Sequence, residues 1–115
     1  MSFKVLIVDD EPLAREVVRL LLAADPEVEV VGECSGAEGL ETIARTRPDV
    51  LFLDVQMPEV DGFDLLEQLG PARAPTTVFV TAYADHAIRA FEVHALDYLL
   101  KPLDDARFAQ ALGRA

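Results

Sequence analysis

The chain has 115 residues, 51% of them apolar and 27% charged, a balance that suits one globular domain and leaves too little for two. Acidic residues outnumber basic ones 21 to 10, and the net charge of −11 opposes direct binding to nucleic-acid phosphates or to an anionic membrane. A single cysteine, Cys34, excludes an internal disulfide, and no segment reads as a signal peptide or a bilayer span, so a cytoplasmic location is expected.

Lys4–Val8 is expected as a first strand, an apolar run ending in Asp9 and Asp10. Leu13, Val17, Leu20 and Leu21 then recur at i, i+4, i+7 and i+8, which predicts one face of a helix with Pro12 in its first turn. Val28–Cys34 is the second strand, with Cys34 as a small buried thiol. Ser35-Gly36-Ala37-Glu38 matches a capping box that opens a helix running to about Arg47. Val50–Leu53 is the third strand and ends at Asp54. Asp61-Gly62 marks a turn into a short helix carrying Phe63, Leu66 and Leu69, ended by Gly70-Pro71. Thr76–Val80 is the fourth strand, followed by a helix from about Asp85 to Val93 with Ile88 and Phe91 on its inner face. Leu96–Leu100 is the fifth strand, and Phe108, Ala111 and Leu112 mark a last helix.

Strands alternating with helices imply βαβ units and a parallel sheet covered on both faces. The expected fold is α/β: a doubly wound, flavodoxin-like, five-stranded sheet in the order 2-1-3-4-5, with five helices on two faces. Ligands of such sheets bind outside the carboxyl ends of the strands, where strand order reverses. Here the reversal lies between the first and third strands, which deliver Asp9-Asp10 and Asp54.

The other strand ends add Thr81 and Lys101, so the predicted site holds three carboxylates, one hydroxyl and one ammonium. At about 4 Å and an effective dielectric near 20, each carboxylate pair repels by on the order of 4 kcal/mol. One ammonium does not offset that, whereas a divalent cation with oxygen ligands does, and Mg²⁺ suits such a site. A carboxylate there can act as a nucleophile toward a phosphoryl group, with Lys101 and the metal neutralising charge. Taken singly, each residue has a structural reading as well. Asp10 can cap the first helix, Thr81 can be an ordinary strand residue, Lys101 can be a solvated strand end, and Tyr98 a half-buried aromatic. His86 and His94 read as solvated or capping residues away from the strand ends, with His86 the closer of the two to the Thr81 loop.

The set Asp9-Asp10, Asp54 in Leu53-Asp54-Val55-Gln56-Met57-Pro58, Asp61-Gly62, Thr81-Ala82 and Tyr98-Leu99-Leu100-Lys101-Pro102 resembles the receiver domain of two-component response regulators. The likeness covers nearly the whole chain. The stretch from Thr81 to Leu99 is most similar to the subgroup joined to LytTR-type DNA-binding domains. The resemblance implies one receiver domain over residues 1–115, with any output domain in a longer chain. It implies that Asp54 accepts a phosphoryl group from a phosphohistidine of a partner histidine kinase. Asp10, Asp54 and the backbone carbonyl of Gln56 would bind Mg²⁺, and Asp9 would act through metal-bound water. Lys101 and Thr81 would contact the phosphoryl oxygens, and the Ala82 N–H would approach them closely. A cis peptide would precede Pro102. Thr81 and Tyr98 would form a switch that reshapes the surface of the fourth helix, fifth strand and fifth helix, where a partner or second copy docks. The domain would catalyse only its own phosphoryl transfer and slow dephosphorylation.

Three other functions compete. A phosphohydrolase of the haloacid dehalogenase type needs an Asp two residues after the nucleophile, where this chain has Gln56. A flavin-binding module needs a Ser/Thr/Gly-rich phosphate loop after the first strand, where Asp9-Asp10-Glu11-Pro12 repels phosphate. A receiver relative that accepts no phosphate and works through protein contact alone is opposed by the complete acidic set.

Overall fold

Side chains alternate between the two faces of a strand, so a strand covered on both sides is apolar throughout. In the computed structural model, which describes residues 3–70 and 72–114, the two apolar runs that end in acids meet that condition. Val5 to Val8 and Val50 to Leu53 are all buried. The strands are β1 (Phe3–Val8), β2 (Val28–Cys34), β3 (Val50–Leu53), β4 (Thr76–Thr81) and β5 (Asp97–Leu100). All pair in parallel, in the expected order β2-β1-β3-β4-β5.

The helices are α1 (Pro12–Leu22), α2 (Gly39–Thr46), α3 (Gly62–Leu69), α4 (Ala87–Glu92) and α5 (Asp105–Gly113). One face of the sheet carries Val5, Ile7, Phe52 and Val80 against Val18 and Leu22 of α1 and Phe108 and Ala111 of α5. Phe52 stacks on Phe108 with ring centroids 5.2 Å apart. The other face carries Leu6, Val8, Leu53 and Phe79 against α2, α3 and Ala90 of α4. Cys34 is buried there, and desolvation pushes its thiol above its ordinary value. The predicted end of the third helix at Pro71 lies outside the described residues.

Three local expectations are corrected. The apolar face read for α1 is not the one that packs: Leu13 is 75% and Leu20 63% exposed, Val17 is exposed, and Val18 and Leu22 are buried instead. Leucines and valines lie on more than one side of this helix. Val18 and Leu22 enter the core, and the Arg15 guanidinium reaches the Asp9 carbonyl and Glu33.

The fourth helix is shorter than predicted, because Ala84–His86 forms a 3₁₀ turn and His94 ends the segment in the left-handed region at φ 61°. It also faces the other way from the expectation. Ile88 and Phe91 are 78% and 82% exposed, while small Ala90 is buried and Arg89 lies 4.4 Å over the Phe63 ring.

The capping box at Ser35 opens a 3₁₀ turn, Gly36–Glu38, and not α2 directly. The Ser35 hydroxyl donates to the Glu38 carboxylate at 3.3 Å and caps no backbone group.

Candidate functional site

Ladder hydrogen bonds carry on one residue past three strands and so fix where the polar side chains begin. Asp9 N–H donates to the Cys34 carbonyl (3.0 Å), Asp54 N–H to Val8 (3.0 Å) and Lys101 N–H to Thr81 (2.8 Å). Two carboxylates and one ammonium thus leave one rim of the sheet. The peptide between Lys101 and Pro102 is cis.

Lys101 is the hub of the cluster. Its Nζ lies 2.9 Å from Asp9 Oδ2, 3.1 Å from Glu11 Oε1 and 3.2 Å from Asp54 Oδ2. Asp9 and Asp54 are buried. Burial pushes the Asp54 carboxyl above its ordinary value and the charge of Asp9 pushes it further, against the pull of Lys101 and the Gln56 N–H. Burial acts to lower the Lys101 ammonium, but the hydrogen bond it donates to Asp9 and the charges of Asp54 and Asp9 outweigh it and raise the ammonium well above the usual lysine range. The shared ammonium therefore stays charged, while Asp54 remains under-compensated.

Asp54 and Lys101 open into a cleft of about 470 Å³ whose lining includes Gln56, Ala82, Tyr83 and His86. Thr81 is fully buried beside it, its hydroxyl accepting a 3.4 Å bond from Tyr83 N–H. Tyr98 is a half-buried strand aromatic 6.2 Å from the Phe79 ring, and its hydroxyl donates to the Tyr83 carbonyl. Gly62 begins α3 directly against the phosphoacceptor candidate. A Cβ at that position would stand 2.5 Å from the Asp54 carbonyl oxygen, so any other residue there forces the backbone to shift.

Two residues of the acidic loop exchange their expected prominence. Asp10 caps no part of α1; its carboxylate accepts from Gly36 N–H at 2.8 Å. Glu11, expected only to help repel a flavin phosphate and given no metal or phosphoryl role, brings a carboxylate oxygen within 4.8 Å of those of Asp9 and Asp54. Its signal was present in the chain, since it directly follows the acidic pair at the exit of β1. His86, read as remote from the strand ends, lines the cleft, while His94 does not.

The sequence model of the response regulator receiver domain family matches residues 5–113. The chain belongs to that family. This receiver domain is 54% identical over 112 residues to the transcriptional regulatory protein BtsR of Escherichia coli K12 and to that of Shigella flexneri, covering 96% of this chain and 47% of each relative. It thus spans about half the length of the curated relatives it matches. Among solved structures, the receiver domain of AraT, a response regulator from Geobacillus stearothermophilus, superposes with a TM-score of 0.88 at 36% identity, over 99% of this chain and 92% of that one. The response regulatory domain of mrkE from Klebsiella pneumoniae gives 0.85, also at 36% identity, over 96% and 93%.

Receiver domains bind Mg²⁺ at an acidic pocket, and the donor set here fits such an ion. Asp9, Glu11 and Asp54 supply only carboxylate oxygens, close enough together to share one cation. Burial and mutual repulsion at Asp54 give a cation something to relieve. Among the described residues no helix of the domain is long and apolar enough to cross a membrane.

Proposed function

We propose that this receiver domain is a phosphoacceptor switch in which Asp54 takes a phosphoryl group from a phosphohistidine of a histidine kinase. The observation that carries this is the placement of Asp54: a buried carboxylate at the end of β3, pushed toward protonation by its surroundings yet bonded to Lys101. An Asp54 oxygen attacks phosphorus as the P–N bond to the imidazole breaks, and the histidine leaves with the bonding electrons. Asp9, Asp10, Asp54 and the Gln56 carbonyl are the residues that would hold Mg²⁺, with Glu11 adjacent. That ion, when bound, supplies neutralisation of the phosphoryl charge. Lys101 pairs with a phosphoryl oxygen, Thr81 donates its hydroxyl to another, and the Ala82 N–H completes the cradle. The domain catalyses only this transfer and its own slow dephosphorylation.

The switch follows from where Thr81 and Tyr98 now bond. Turning the Thr81 hydroxyl toward a phosphoryl oxygen breaks its contact with Tyr83 N–H, and Tyr98 is anchored on the carbonyl of the same Tyr83. Movement of that loop reaches α4, β5 and α5, the surface on which we place homodimer contact. Exposed Ile88, Phe91 and Leu100 support that location. The whole protein is a cytoplasmic transcriptional regulator that continues into an output domain of the LytTR type. The relatives named transcriptional regulatory proteins, about twice this length, support the transcriptional part of that reading, and the LytTR type rests on the resemblance of the stretch from Thr81 to Leu99.

Incubation with acetyl phosphate and Mg²⁺ followed by peptide mass spectrometry tests the proposal. A single phosphoryl adduct on Asp54, absent in Asp54→Asn, is expected. An adduct elsewhere, or steady turnover of phosphate esters, defeats it.

A further inference from the structure

Lys101 offers one ammonium to three carboxylates, and the third of them is unlike the other two. The side chains of Asp9 and Asp54 are 5% and 8% exposed, whereas that of Glu11 is 71% exposed, yet its Oε1 is as close to Nζ (3.1 Å) as theirs. Glu11 is held where it can do this. Its N–H donates to Asp9 Oδ1 at 2.9 Å, and Pro12 after it sets the first turn of α1, so its Cα sits at the corner between β1 and α1. It lines the cleft onto which Asp54 opens, and Lys101 is its sole ion-pair partner among the described residues. Arg15 of α1, four residues on, is committed to the Asp9 carbonyl and Glu33. Glu11 therefore reaches Lys101 from the solvent side, the side from which an anionic group enters.

We propose that Glu11 is a positioning residue that competes with an incoming phosphoryl group for Lys101. The inference rests on the phosphoacceptor reading of Asp54. In the resting domain Glu11 holds the ammonium toward the cleft mouth, and an anion on Asp54 gains Lys101 only by displacing it. Glu11, already mostly in water, then returns to solvent at small cost. The length of the side chain matters as much as its charge, because an aspartate at the same corner falls short of Nζ. Glu11 thereby sets how tightly the domain holds its activated state, without touching the phosphorus itself.

Isothermal titration of beryllofluoride at saturating Mg²⁺ tests this on the wild-type chain, Glu11→Gln and Glu11→Asp, with thermal melting of each to report folding. Both variants are expected to bind about two- to fivefold more tightly, the effect of releasing one exposed ion pair. In metal-free buffer both are also expected to shift the Lys101 ammonium resonance. Wild-type or weaker affinity in two folded variants overturns the role of Glu11, weaker affinity assigning it to the metal instead. Tightening in Glu11→Gln alone assigns the effect to charge and overturns competition by contact. Absence of Mg²⁺-dependent binding in the wild type overturns the phosphoacceptor reading, and this inference with it.

Discussion

Asp54 is held against its own chemistry. Its folded pKa lies above the unfolded one, first through burial and then through the charge of Asp9. The folded state thus keeps a proton over a pH range in which the unfolded chain has lost it. Stability contributed by this group therefore falls as pH rises through that range and stays lower at neutrality. Asp54→Asn is expected to stabilise the domain by roughly 1 kcal/mol at pH 7 without divalent ions, about 4 °C in melting temperature. The gain should shrink as pH drops below the usual carboxylate range, and calorimetric melts at several pH values check it. Gly62 is the opposite case, a residue whose value is having no side chain. Gly62→Ala drives a Cβ into the Asp54 carbonyl, with Leu53 and Phe79 only 3.1 Å behind it. A loss of about 1–3 kcal/mol in urea denaturation is expected, together with weakened beryllofluoride binding, because the backbone of the phosphoacceptor itself must shift.

At the scale of elements, α5 is fastened to the edge strand by charge as well as by Phe108. Asp97 of β5 accepts two bonds from Arg107, at 2.9 and 2.5 Å, and one from Arg114 at 2.6 Å. The bonds from Arg107 hold its carboxyl below the ordinary range in spite of partial burial. A depressed carboxylate pKa adds stability that is present above the unfolded value, about 3.9 for Asp, and is lost as pH falls through the folded one. Both arginines are more than 40% exposed, so solvent screens the clamp. Asp97→Asn is expected to cost about 1 kcal/mol at neutral pH and to lose that difference in acid. Hydrogen exchange should locate the loosening in α5.

Across the whole molecule, the acids at the rim are tolerated because one lysine from the far edge of the sheet reaches them. Lys101 follows β5, Asp9 follows β1, and β3 and β4 lie between, so this contact closes the site only when the full sheet has formed. Its raised pKa means that its stabilisation is fully present below about pH 10 and is lost as pH rises through the folded value. Lys101→Ala leaves the Asp9, Glu11 and Asp54 carboxylates without their cation. A loss of about 2 kcal/mol is expected in divalent-free buffer, with Mg²⁺ restoring more stability than it adds to the wild type. Magnesium affinity unchanged or tighter is expected, since a competing cation has gone; urea denaturation with and without Mg²⁺ measures both.

Sheet order, strand boundaries to within one residue and the meeting of Asp9, Asp54 and Lys101 at one rim were legible in the chain, because strands covered on both faces must be continuously apolar and parallel crossovers are right-handed. Periodicity did not decide which way α1 and α4 face. Both helices carry apolar residues on several sides, and contacts with distant strands and helices choose the buried one, which carries Val18 and Leu22 in α1 and Ala90 in α4. Nor did it decide how the carboxylates divide their labour. Asp10 turns to Gly36 N–H and Glu11 turns to Lys101, partners 26 and 90 residues away. The chain dictates a chemistry by delivering acids to strand ends, but which oxygen faces which cation depends on distances that exist only once the sheet has brought its ends together.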